Sequence, residues 1–136
     1  SAYGFNSSDM EIQSPVPQKQ DLQLRAYRFG VSIIKFIDAL EGRDLSAQII
    51  AKQIIRSATS VGANIVEAQA GSSRKDFTNF LSYALKSANE TKFWLGLLGD
   101  TGKASLVETE KLHRECAELV NILASSIITL KGKRRS

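Results

Sequence analysis

The 136-residue chain has one cysteine, one histidine, one tryptophan and two prolines. A lone Cys116 cannot close an intramolecular disulfide, and with His113 as the single histidine no His-rich or Cys-rich zinc site can be assembled. No apolar run approaches the ~20 residues that cross a bilayer; the longest pieces resemble Phe93-Trp94-Leu95-Gly96-Leu97-Leu98. The N-terminus has neither a basic segment nor an apolar one, so no signal peptide is expected and a soluble, cytoplasmic protein is. Net charge is scarce too. The formal +4 is carried by the last six residues: without Lys131, Lys133, Arg134 and Arg135 the two signs balance at 14 each.

What is abundant is helical periodicity. At 43% apolar and 24% charged, and with a length near the commonest domain size, the chain reads as one ordinary globular domain that folds without a disulfide or metal. Both prolines, Pro15 and Pro17, lie in residues 1–20, which read as a flexible arm; because the chain starts at Ser1 and not at Met, the first ten residues are left out of the functional reading. Residues 21–130 contain no proline, and four helical segments are predicted there, followed by a basic tail at 131–136.

The first, over about 21–40, carries two apolar sets: Leu24, Tyr27, Val31 and Ile34, and Leu22, Phe29, Ile33, Phe36, Ile37 and Leu40. After a turn at 41–44, with Gly42 as a cap and Asp44 or Ser46 as the next N-cap, the second spans about 45–70 with small residues on one face. Gly71 closes it, and Ser72 or Ser73 caps the third, where Phe77, Ala84, Thr91 and Leu98 recur every seven residues beside Leu81, Ala88 and Leu95. A turn at 99–102 leads to the fourth, with the series Leu106, His113, Val120, Ile127 and Cys116, Leu123, Leu130. Short connections force antiparallel neighbours. The predicted fold is all-α, an up-down-up-down four-helix bundle.

Catalytic chemistry finds few carriers. His113 and Cys116 lie on the apolar stripe of the last helix and read as core residues, and Glu108, Glu110, Glu115 and Glu118 lack the Glu-x-x-His pairs of a di-iron bundle, so no cofactor is expected. The turn Gly71-Ser72-Ser73-Arg74-Lys75 puts two hydroxyls and two cations at a helix start; it serves capping or, alternatively, a phosphate. Gln53, Arg56, Ser60, Asn64 and Glu67 recur at helical spacing, as do Asn79, Tyr83, Lys86 and Glu90. With few Lys or Glu among them, Arg56, Asn64, Glu67 and Glu90 are predicted to form a partly buried polar seam, within the bundle or between subunits. Trp94, Phe93, Leu97 and Phe80 supply more apolar surface than one helix seam buries, and the first helix is similarly broad; this excess points to an oligomer.

The runs Gln53-Ile54-Ile55-Arg56-Ser57-Ala58, Ser60-Val61-Gly62-Ala63-Asn64-Ile65-Val66-Glu67-Ala68 and Arg74-Lys75-Asp76-Phe77-Thr78-Asn79-Phe80-Leu81 resemble the bacterial 23S rRNA-intervening-sequence proteins. That family carries a Q-L-R-R-A-x-S-I-x-x-N-I-A-E-G stretch, then an R-x-S/x-x-E-F-x-x-F-L stretch, then a small-residue and Glu-containing segment, where Ala84, Ser87 and Glu90 fall in this chain. Asn64, Glu67, Arg74, Phe77 and Phe80 are the most specific matches over about residues 21–130, while Ser57 and Ala68 depart from the pattern's second Arg and its Gly. The resemblance implies a non-enzymatic bundle assembled as a ring, a homopentamer, associated with RNA or other nucleic acid. Related bundles act as accessory variability determinants of diversity-generating retroelements, so an accessory subunit of a reverse transcriptase, or a protein-interaction scaffold without its own nucleic-acid binding, is the alternative. Arg74, Lys75, Lys131, Lys133, Arg134 and Arg135 are the expected phosphate contacts.

Overall fold

The structure, a computed structural model, describes residues 19–41 and 44–135. They form four helices: α1 (Lys19–Asp38), α2 (Leu45–Ala70), α3 (Arg74–Asp100) and α4 (Leu106–Arg135). At 1.5 Å per residue the last three are rods of roughly 40 Å. The arm at 1–18 and the Gly42 cap lie outside the described residues.

Helices α2 and α3 begin and end for local reasons. Asp44 caps α2, its carboxylate accepting from the Ala47 amide at 2.9 Å, and Ser73 caps α3, accepting from the Asp76 amide at 3.1 Å. Gly71 ends α2 by donating to the Ala68 carbonyl. Gly99 and Asp100, expected in a turn, are helical; Thr101 closes α3 and Gly102, at φ +71°, makes the reversal. α4 continues through Arg135, so the basic residues extend the last helix, where cations suit its C-terminal dipole.

Short connections make consecutive helices antiparallel neighbours. α2 packs on α1 and α3, and α4 packs on α3 and on α1, which leaves α1 and α3 at diagonally opposite corners. The core between them holds Phe29, Ile33, Ile54, Ile65, Leu81, Leu95, Leu98, Leu119 and Leu123, all with under 2% exposure or nearly so. Full burial of each such side chain contributes about 1.5–3 kcal/mol. Small residues draw helices together: a methyl built on Gly62 of α2 meets the Ala26 methyl of α1 at 3.8 Å.

On α3 the two heptad series are buried at Leu81, Ala84, Ala88, Thr91, Leu95 and Leu98, as the spacing predicts. On α4 the series starting at Leu106 behaves differently. Leu106 is exposed, His113 and Val120 are half-buried, and Ile127 is buried. A straight helix drifts about 20° per heptad against a seven-residue repeat, so this series slides from surface to core along the rod. The inward stripe is Thr109, Cys116, Leu119, Leu123 and Ile127.

Candidate nucleic-acid interface

The register of α3 against α4 decides which charges meet. The Cys116 thiol lies 3.1 Å from the Ala88 carbonyl, and Gly99 faces Thr109 so closely that an added methyl would stand 2.6 Å from its hydroxyl. Antiparallel helices in that register bring the start of α3, with Arg74 and Lys75, level with about residues 129–134 of α4. The two basic groups that are 55 or more residues apart in sequence therefore share one end of the bundle. Arg74, Lys75 and Lys131 are exposed; the side chains of Lys133, Arg134 and Arg135 lie outside the described ones, though their backbone continues α4.

At the α3 start the Ser73 hydroxyl is used for capping, as the plain reading of that turn expects. Asp76 stands in the same first turn, where its carboxylate favours the helix dipole and weakens any anion site there. The positive charge at this end accordingly resides on the side-chain cations.

The polar seam divides in two. Arg56 and Glu90 are brought together: the guanidinium donates to Gln53 Oε1 at 2.8 and 3.0 Å and pairs with the Glu90 carboxylate, which also accepts from Trp94 Nε1 at 2.8 Å. The indole hydrogen bond is the leading reason that Glu90 titrates below the usual glutamate range, with Arg56 adding to it. Asn64 instead donates to the Ser60 carbonyl of its own helix at 2.9 Å, and Glu67 stands exposed. This seam runs along the outer edge of the α2–α3 contact.

The polar pair that is truly enclosed went unrecognised in the sequence. Ser57 and Thr91, both fully buried, join their hydroxyls at 2.8 Å across α2 and α3, and Thr91 also reaches the Ser87 carbonyl at 2.8 Å. Its signal was present in the heptad position of Thr91. Ser57 takes no part in a basic surface.

Elsewhere charges tie elements together. Arg25 of α1 donates to Glu115 at 2.7 Å and pairs with Glu118, both on α4; the Glu115 bond chiefly raises the affinity of this guanidinium for its proton. Lys103 reaches Asp44 at 2.5 Å, linking the α3–α4 connection to the α2 cap and holding that carboxyl below its usual range. Among the described residues no three His, Cys, Asp or Glu are grouped to hold a metal, and no helix is long and apolar enough to cross a membrane. Cys116 is enclosed, and burial pushes its thiol up to about 12.

The outer surface keeps apolar groups. Phe93 is 59% and Tyr83 48% exposed on α3; Phe93 packs edge-on to Trp94 and Tyr83 edge-on to Phe80.

The model of the 23S rRNA-intervening sequence protein family matches residues 18–125. A crystal structure described as a protein of unknown function from the S23 ribosomal protein family of Bacteroides thetaiotaomicron superposes with a TM-score of 0.72 at 37% identity. The match covers 80% of this chain and 96% of that one. No curated protein matches this chain.

Proposed function

Because the chain belongs to the 23S rRNA-intervening sequence protein family, we propose that it is a non-catalytic, homo-oligomeric scaffold that associates with RNA through phosphate contacts in the cytoplasm. One observation carries this reading: Arg74, Lys75 and the 131–135 segment share one end of the bundle, although the rest of the molecule is near neutral. Oligomerisation multiplies that end. In a pentamer the four C-terminal cations alone become about twenty charges on one assembly, and multivalency turns weak single contacts into useful affinity. Binding of this kind is steeply salt-dependent and weakly sequence-specific.

Fluorescence anisotropy with a structured RNA at low salt tests it. Wild type is expected to bind, and a variant lacking residues 131–136 and carrying Arg74→Ala and Lys75→Ala to lose most of that affinity while keeping its helical circular dichroism. Absence of binding at low salt, or equal binding by the variant, sinks the reading. The first of these outcomes favours the second reading, a protein-interaction scaffold, for which either the α1 face with exposed Val31 or the α3 face with Phe93 and Leu97 beside Trp94 supplies the surface.

A further inference from the structure

The side of α3 that faces away from the core alternates polar groups with aromatic rings. Lys75, Asn79, Tyr83, Lys86 and Phe93, at steps of four, four, three and seven residues, share one stripe opposite the buried Ala84, Ala88, Thr91 and Leu95, and all five are exposed. Both rings are held by a half-buried neighbour. Tyr83 meets Phe80 edge-on at 5.8 Å and 85°, and Phe93 meets Trp94 at 5.1 Å and 69°. Trp94 is fixed in turn by its indole hydrogen bond to Glu90 at 2.8 Å. A ring packed edge-on keeps at least one of its two faces clear of that neighbour. Two aromatic faces therefore stand at the surface already positioned, and little side-chain entropy is lost when a flat partner covers them.

The stripe starts at the basic end. Lys75 belongs to both; Tyr83 stands roughly 12 Å along the helix from it and Phe93 roughly 15 Å further, with Lys86 between the rings. A strand whose phosphates are held by Arg74, Lys75 and the 131–135 segment, and which leaves this end along α3, meets an aromatic face, a cation and a second aromatic face in turn. Acids are present too. Asp76 follows Lys75, and the Ser57–Thr91 contact sets Glu67 of α2 level with about residue 81 of α3. The Glu90 carboxylate, on the stripe itself, is bound by Arg56 and Trp94. With acids and cations nearly balanced, the stripe is poorly suited to a run of phosphates. It suits bases, which carry no charge and offer a π-face whatever their sequence. Bases within a duplex are stacked on one another, so only unpaired ones can reach it.

Resting on the RNA reading given above, we propose that the outward stripe of α3 is a stacking site for unpaired RNA bases, with Tyr83 and Phe93 as its platforms and Lys86 meeting the phosphate between them. The partner is thereby narrowed to RNA with a single-stranded stretch next to the part held at the basic end.

Anisotropy titrations with an unstructured strand of A and C, and with the same strand annealed to its complement, separate stacking from phosphate contacts. Tyr83→Leu with Phe93→Leu keeps apolar bulk and removes the π-faces. It should weaken single-strand binding on the order of tenfold per ring and leave duplex binding unchanged. The slope of log affinity against log salt should also stay as in wild type, because stacking releases no counterions. Photocrosslinking of wild type to a strand carrying iodouracil should place adducts on Tyr83 or Phe93. No binding of either RNA at low salt overturns the RNA reading itself. If RNA binds but the leucine pair holds the single strand as tightly as wild type, or crosslinks fall only on residues outside α3, the stacking site alone is overturned and the rings are left to a protein contact. Should the leucines disturb the bundle, both RNA forms lose affinity together, and the crosslinking of wild type decides.

Discussion

Among single residues, Ser57 and Thr91 show how far a sequence pattern reaches. Thr91 falls on the seven-residue repeat of α3 and so is placed in the core by period alone; Ser57, between Arg56 and Ala58, reads only as a departure from the second Arg of the family pattern. Neither reading couples them, because helical periodicity gives direction and says nothing about which residue of the facing helix lies opposite. Enclosed together at 2.8 Å, the two hydroxyls satisfy each other. Thr91→Val leaves the Ser57 hydroxyl with a weak 3.4 Å contact to the Ile54 carbonyl and is expected to cost about 1–2 kcal/mol in urea unfolding. Ser57→Ala with Thr91→Val should cost less than the two single changes added together, because the double change orphans no group. Glu90 gives a pH signature. Its folded-state affinity for a proton is lowered, so its stabilising contribution is complete above the ordinary value of 4.5 and is lost as pH falls through the lower folded value. Trp94→Phe removes the leading cause. Glu90 should then titrate closer to 4.5 by NMR, and acid unfolding should begin at a higher pH than in wild type.

For the elements, the sequence was most legible where a helix is long and evenly periodic. The bounds of α2 and the cap choices at Asp44 and Ser73 follow from local chemistry that any short window contains. The end of α3 was less legible, since Gly99-Asp100-Thr101-Gly102 reads as four turn residues and only the last has the left-handed backbone that demands glycine. Gly99 is glycine for a different reason, the close passage of Thr109 on α4. Two neighbouring glycines of one helix should therefore respond oppositely to alanine. Gly96→Ala meets no atom within 4 Å and should stabilise by about 0.5–1 kcal/mol through helix propensity. Gly99→Ala would press a methyl to 2.6 Å from the Thr109 hydroxyl, itself held against the Ser105 carbonyl at 3.0 Å. Overpacking of that kind costs about 1–3 kcal/mol, more than the propensity gain, so the midpoint of thermal unfolding should fall.

In the whole molecule, connectivity turns a weak sequence clue into a located one. Composition assigned the positive charge to residues 131–135, and a turn motif singled out Arg74 and Lys75, but nothing in a one-dimensional pattern joins segments 55 or more residues apart. An up-down-up-down path does, because the start of the third helix and the end of the fourth must lie at the same end. The polar seam was legible only in part: Arg56 and Glu90 meet because a side-chain reach of one helix diameter suffices, whereas Asn64 turns back to its own backbone. If the shared basic end holds phosphate, its cations act by releasing counterions, and their number can be read from the salt dependence of binding. Each removed contact should flatten the slope of log affinity against log salt by about 0.9 for a duplex or 0.7 for a single strand. Arg74→Gln with Lys75→Gln is thus expected to reduce the slope by about 1.4–1.8 per protomer engaged, and to do so equally for unrelated RNA sequences. Lys52→Gln, an exposed cation in the first third of α2, is the control and should leave the slope unchanged. Equal slopes for all these proteins would mean that phosphate is held elsewhere than at this end.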